Sequence, residues 1–242
     1  MQWKQSQNDP FCLDFARAVV RGKILGQKKV AAAYAKNYLA ETLGHSHVDL
    51  VEALAAVDRA EDLERLRGIE GSASRAYFDI FRRCNRSQMP FDGRHKRAAT
   101  DPINALLNLG YTMLTRELEG LIESAGLDPA VGFYHAPDDD RPSLACDWVE
   151  EFRHVAIDRL VLKLINTEVI RSTHFEVHED KGGIRILPEG LRRFLAAYEK
   201  TLTADAGELG MPAGLRLVFL NRLGVLIDSV AKGETYRSHL EA

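Results

Sequence analysis

Asp147, Glu150, Glu151 and His154 stand at i, i+3, i+4 and i+7 of a stretch with helical periodicity. That spacing puts three carboxylates and one imidazole near one helix face. Like charges at these offsets repel and weaken the helix unless a cation lies close. Arg153 is expected to point elsewhere on the helix and to neutralise them only in part. A helix N-terminus also favours carboxylates through its dipole, so spacing alone leaves a metal-binding face and a solvated face both open. His135 lies just upstream, in GFYH at the start of a PDDDRP loop, and Glu70 lies in RGIEGSASRAYF between Gly68 and Gly71. Taken singly, each reads as an ordinary solvated or hydrogen-bonded residue. Arg82, Arg83, Arg86, Arg94, Lys96 and Arg97 crowd one short stretch after the Glu70 segment. Alone they read as a solvated basic loop; beside a phosphate-handling site they would bind a nucleic-acid backbone without sequence preference and with strong salt dependence. Lys23, Lys28 and Lys29 form a second, weaker basic patch.

The elements that must position these residues are mainly helical. Apolar periodicity predicts helices over Pro10 to Arg21, Gln27 to Thr42, Val48 to Val57 and Ala60 to Phe81. Gly68 and Gly71 each weaken the last of these by about 1 kcal/mol relative to alanine, which suggests another backbone or a ligand close by. Arg82 to Thr100 reads as an exposed loop. Asp101-Pro102 is a strong helix start, an N-cap followed by proline at the first helical position, and that helix is expected to stop at Gly126. Asp128 to Pro142 reads as a loop and Ser143 as the cap of one helix running to about Glu168. Phe175 to Leu187 alternates, turns at Asp180-Lys181-Gly182-Gly183 and alternates again, a β-hairpin pattern. Pro188 opens a helix to about Leu202, and a last helix covers Leu215 to Val230. The expected fold is mainly α, a multi-helix single domain over residues 1–242 with one small β-hairpin.

Composition sets limits rather than directions. The 242 residues are 45% hydrophobic and 28% charged, with a net charge of −3, the balance of a soluble globular protein. Net charge therefore gives no hint of nucleic acid, and any such binding must come from a local patch. Cys12, Cys84 and Cys146 form no zinc spacing and read as reduced thiols of a cytosolic protein. The N-terminus lacks the apolar core of a secretory signal, no run of about 18 apolar residues could span a membrane, and no glycine-rich phosphate loop or nucleophile elbow occurs.

The segments RGIEGSASRAYF (67–78), DPINALLNLGYTML (101–114), AGLDPAVGFYHAP (125–137) and SLACDWVEEFRHVAIDRLV (143–161), in this order and spacing, resemble the CRISPR-associated Cas-one integrase family. LPEGLRRFLAAYEKTL and GETYR extend the resemblance over essentially the whole chain. The resemblance implies a helical domain holding Mg2+ or Mn2+ through Glu70, His135 and Glu150. It implies Asp147 as a further acidic residue beside the metal and Arg75 as a basic residue facing DNA. It implies DNA endonuclease and strand-transfer activity, a homodimer and a Cas-two adaptation protein as partner. Such a metal would supply charge neutralisation and orientation for phosphoryl transfer, and no thiolate stands near to favour zinc. Family members usually begin with a β-rich domain; this chain starts at about the helix that follows it, which reads as a short protein, a fragment or a fusion-derived piece. The alternative expectation is a non-catalytic DNA-binding or assembly subunit of the same descent.

Overall fold

The computed structural model describes residues 1–37, 44–95, 99–135, 141–177, 183–204 and 214–241. After a short α1 (Gln2–Ser6), one continuous helix, α2 (Asp9–Asn37), replaces the two helices expected from Pro10 to Arg21 and from Gln27 to Thr42. Gly22 and Gly26 do not end a helix; they notch its flank. A Cβ on Gly22 would stand 2.7 Å from Ser238 Cβ and 3.1 Å from Glu151 Cβ. The glycines thus let the 150s segment and the C-terminal segment press onto α2. Alanine at residue 22 would add about 1 kcal/mol of helix propensity, but Ser238 is fully buried and cannot retreat, and overpacking costs about 1–3 kcal/mol. Gly22→Ala is therefore expected to lower stability in urea denaturation; a variant as stable as the parent would refute the notch.

α3 (Gly44–Val57) and α4 (Leu63–Cys84) pack against each other and against α2. Asp62 caps α4 by accepting from Arg65 N at 2.7 Å, and Arg82 and Arg83 complement the dipole in its last turn. Leu66, Ala73, Tyr77 and Ile80 of α4 are buried. No backbone presses on its glycines, against expectation: a Cβ on Gly68 would meet nothing within 4 Å, and one on Gly71 only the Arg75 guanidinium at 3.9 Å. Residues 85–95 are anchored rather than simply exposed, because Met89 and Phe91 are buried and the Phe91 ring lies 5.1 Å from that of Phe81.

α5 (Pro102–Ser124) follows the expected bounds, with Asp101 accepting from Asn104 N at 2.8 Å. The single helix expected from Ser143 to about Glu168 is broken instead. α6 (Ser143–Val149) ends early, a turn covers 150–152, a single π-helical turn occupies His154–Asp158, and α7 (Arg159–Asn166) resumes. π-Helical turns interrupt α-helices at positions under competing demands, often at functional sites. Here the demands are visible: Asp147, Glu150, Glu151, His154 and Asp158 are all buried, and their partners lie in different directions, with His154 and Asp158 pairing with each other.

The hairpin forms as expected, with β1 (Phe175–Val177) antiparallel to β2 (Ile184–Ile186) and Phe175 opposite Ile186; its turn lies outside the described residues. α8 (Pro188–Thr203) and α9 (Leu215–Lys232) complete the mainly α fold, α9 ending at Gly233 in the left-handed conformation (φ 70°). The core joins all layers: Phe133 lies edge-on to Phe11 and Phe15, and Phe152 edge-on to Trp148 and Phe219. Cys12 and Cys84 are buried and Cys146 half-buried, all as free thiols. Among the described residues, no helix is long and apolar enough to cross a membrane.

Candidate active site

His135 is fixed by Asp147. Oδ1 of Asp147 accepts from His135 N at 2.8 Å and lies 2.6 Å from His135 Nδ1; Oδ2 accepts from Phe133 N at 2.8 Å and Tyr134 N at 2.9 Å. The approach needs glycine at 132, where a Cβ would stand 2.8 Å from Asp147 Oδ2 and 2.9 Å from the backbone of Ser143. With Nδ1 engaged, Nε2 is the His135 nitrogen left for a ligand. Burial opposes the charged ring, but Asp147 raises the His135 pKa overall.

Glu70 and Glu150 reach the same place from α4 and from the turn after α6, and one ammonium joins them. Lys23 Nζ contacts Glu70 Oε1 and lies 2.9 Å from Glu150 Oε2. The remaining oxygens are tied down separately: Tyr134 donates its hydroxyl to Glu70 Oε2 at 2.5 Å, and Arg153 Nη2 pairs with Glu150 Oε1 at 2.8 Å. Burial alone would raise the Glu150 pKa; Arg153 and Lys23 more than offset it and hold the carboxylate well below its usual range. For Glu70 too, Lys23 outweighs burial and keeps the group ionised. Two sequence expectations are corrected. Arg153 does not point away from the acidic residues, and Lys23 is buried rather than part of a surface patch.

The expected common face of four residues is also corrected. Glu151 turns away from Glu150, accepting from the Tyr236 hydroxyl and from His239 N at 2.8 Å. Burial pushes its pKa up to about 7, outweighing the Tyr236 and His239 hydrogen bonds and the Arg222 charge that act to lower it. His154 pairs with Asp158, which also accepts from the Tyr111 hydroxyl. Of the three carboxylates on that face, only Glu150 lines the site itself, with Asp147 behind it.

Glu70, His135 and Glu150 line a cleft of about 990 Å³, together with Lys23, Arg153 and His154. Arg75, Arg82 and Arg94 are also in its walls. Arg94 is no loose loop residue: it donates to Asn104 Oδ1 at 3.0 Å and Asn108 Oδ1 at 2.6 Å, and its guanidinium lies 5.1 Å from the centre of the Tyr111 ring. Arg83 pairs with Asp79 at 2.7 Å, and Arg86 is exposed; neither is part of the cleft wall. Lys96 and Arg97 lie outside the described residues. The expected single basic loop is thus divided, and Arg67, Arg116 and Arg141 add cleft-lining charge not singled out from sequence. Tyr134 was missed as well, while Lys23 and Arg153 were given other roles, a surface patch and a residue pointing elsewhere. The available signal for Lys23 was its place on the apolar stripe of α2, four residues after Val19.

Two carboxylates and one imidazole form a donor set suited to a hard divalent cation. Glu150 Oε2 is a buried oxygen whose contact with Lys23 is an ion pair without hydrogen-bond geometry, so it retains capacity for a ligand. No three acidic, histidine or cysteine side chains among the described residues stand ready as a closed metal cage; the lysine ammonium stands between the two carboxylates instead.

A family model described as CRISPR associated protein Cas1 matches residues 1–200. The CRISPR-associated endonuclease Cas1 1 of Chlorobaculum tepidum is 36% identical over 206 residues, covering 82% of this chain and 60% of that protein. The chain therefore spans about 60% of the length of this curated relative. Among solved structures, a chain of a Cas6-RT-Cas1–Cas2 complex superposes with a TM-score of 0.88 at 25% identity, covering 100% of this chain and 26% of the other. A casposase bound to integration product has a TM-score of 0.84 at 24% identity, covering 98% and 66%, and shares the fold. With the family match running from α1 through the hairpin into α8 and Glu70, His135 and Glu150 gathered in one cleft, this chain belongs to the CRISPR associated protein Cas1 family.

Proposed function

We propose that this chain is the helical catalytic part of a divalent-metal-dependent DNA endonuclease and strand transferase that inserts short DNA fragments into a CRISPR array. The observation that carries the reading is the meeting of Glu70, His135 and Glu150 in one arginine-walled cleft. Glu70, Glu150 and His135 Nε2 would hold Mg2+ or Mn2+. Such a cation, when bound, supplies charge neutralisation at the phosphate and orientation of the attacking oxygen. The chain's own residues do the rest. Tyr134 and Arg153 hold the two carboxylates, Asp147 holds the imidazole, and Arg75, Arg82 and Arg94 bind the DNA backbone. In strand transfer the 3′-hydroxyl of the incoming fragment forms the new P–O bond and gives its proton to solvent; the target's P–O3′ bond breaks, and the departing oxygen takes a proton from solvent, so that the target strand leaves as a 3′-hydroxyl. In cleavage, water replaces the incoming hydroxyl. The likeness to a chain of a Cas6-RT-Cas1–Cas2 complex supports a Cas-two partner, and the family resemblance supports a homodimer.

The test is a strand-transfer assay on branched DNA with Mn2+, comparing the parent chain with Glu150→Ala. Product from the parent alone supports the reading. A second reading, a non-catalytic DNA-binding or assembly subunit, is favoured by the lysine seated between Glu70 and Glu150; bound DNA that stays intact in Mn2+ would select it. Either reading gives the same expectation for the cleft wall. Arg75→Ala and Arg82→Ala each weaken binding uniformly across sequences and flatten the slope of log affinity against log salt by about one. Unchanged salt slopes in fluorescence anisotropy would remove those residues from the DNA path.

A further inference from the structure

We propose that Lys23 is the built-in counter-ion of the metal-free site: its ammonium holds Glu70 and Glu150 together until a divalent cation takes the same two oxygens, and it then moves out into the cleft. The inference rests on the metal-binding reading above.

The geometry assigns each carboxylate oxygen a separate task. Glu70 Oε2 is held by the Tyr134 hydroxyl and Glu150 Oε1 by Arg153. Lys23 contacts only the other pair, Glu70 Oε1 and Glu150 Oε2. These are the oxygens that fixed anchors leave open, and therefore the ones a cation would take. Two carboxylates this deep repel each other strongly unless a positive charge lies between them, and the Lys23 side chain is only 6% exposed. The ammonium therefore stands in for the cation. It cannot keep its place when the cation arrives, since both charges would compete for the same two oxygens at contact distance. Leaving is easy in structural terms. The lysine stem is flexible and lies in the cleft wall, while Tyr134 and Arg153 keep the carboxylates in position. Because Lys23 enters from α2, the arrangement also joins the long helix to α4 and to the turn after α6 before any metal binds.

The consequence is competition. If the arrangement with Lys23 displaced is populated at about one part in ten or less, the apparent metal affinity is weakened by about tenfold or more. Calorimetric titration of the whole chain with Mn2+ should show Lys23→Met binding at least about tenfold more tightly than the parent. The same variant should melt at a lower temperature without metal and show a larger Mn2+-induced rise in melting temperature. An affinity equal to or weaker than the parent's overturns the inference and makes Lys23 a residue that supports the bound cation. Should Lys23→Met not fold, the parent answers alone. Amine acylation read by mass spectrometry should label Lys23 faster with Mn2+ present, relative to Lys28; unchanged or slower labelling overturns the inference. A parent chain that takes up no Mn2+ sinks the metal-binding reading itself, an outcome distinct from metal uptake that is indifferent to Lys23.

Discussion

Glu150→Gln is expected to reduce strand transfer by about a hundredfold or more while leaving a folded protein of lower stability. Glutamine keeps the size of the side chain and loses the charge that Arg153 and Lys23 hold in place. On the proposed metal-binding reading, losing that charge weakens one of three donors to the cation, and it leaves Arg153 without this ion pair and Lys23 with Glu70 alone. Breaking a buried ion pair from one side costs about 3–5 kcal/mol, so the melting temperature should fall along with activity. The two effects separate by temperature. Strand transfer assayed where circular dichroism shows the variant still folded reads the chemistry, and the melting curve reads the pair. Glu70→Gln and His135→Ala are expected to behave alike in activity. They should differ in stability, because His135 is the more exposed of the three and has no buried cation opposite it. Activity like the parent's in any one of them would remove that residue from the site.

What could be read in the chain without coordinates follows from how local each signal is. α5 begins where Asp101-Pro102 says it should, because cap and proline act within one turn. The hairpin and α8 are equally local, set by alternation and by Pro188. The segment after Ser143 was not legible, because its break depends on distant partners. Asp147 is engaged by backbone donors at 133–135, and Glu151 by residues 236 and 239. Helical spacing assumes that one helix continues, so it placed on one face four residues that the turn at 150–152 sends apart. α2 was misread in the opposite sense. Two helices were expected where one runs, and the residue between them, Gly22, has its role set by Ser238 and Glu151, far along the chain. The grouping of Glu70, His135 and Glu150 was accessible only through resemblance of whole segments, since nothing in the spacing of 70, 135 and 150 predicts a common cleft. Lys23 escaped for a related reason: among neighbouring lysines it looks like surface charge, and its burial depends on two carboxylates from other elements.

Asp147 was expected beside the metal but not among its three ligands, and its surroundings support a positioning role that a single substitution can test. It is fully buried, and both oxygens are consumed by three backbone N–H groups and the His135 ring. Asp147→Ala would strand those donors, each at about 1–3 kcal/mol. Their sum reaches the scale of a whole domain's stability, about 5–15 kcal/mol, so this variant is expected not to fold. Asp147→Asn is the informative one. It preserves shape and one acceptor, but its amide nitrogen must face a donor. It should fold with a melting temperature several degrees lower and with His135 less firmly oriented. A residue that orients a ligand rather than being one typically changes metal affinity by about 10–100-fold on substitution. Asp147→Asn is therefore expected to bind Mn2+ more weakly by that factor, with saturating metal restoring most of the strand-transfer rate. Direct ligation predicts another pattern: loss that no metal concentration rescues, with little change in melting temperature. The donors decide between the two, because Oδ2 already accepts from Phe133 N and Tyr134 N and Oδ1 is engaged by His135 N and Nδ1, leaving little to offer a cation, whereas Nε2 of the ring that Oδ1 positions is uncommitted.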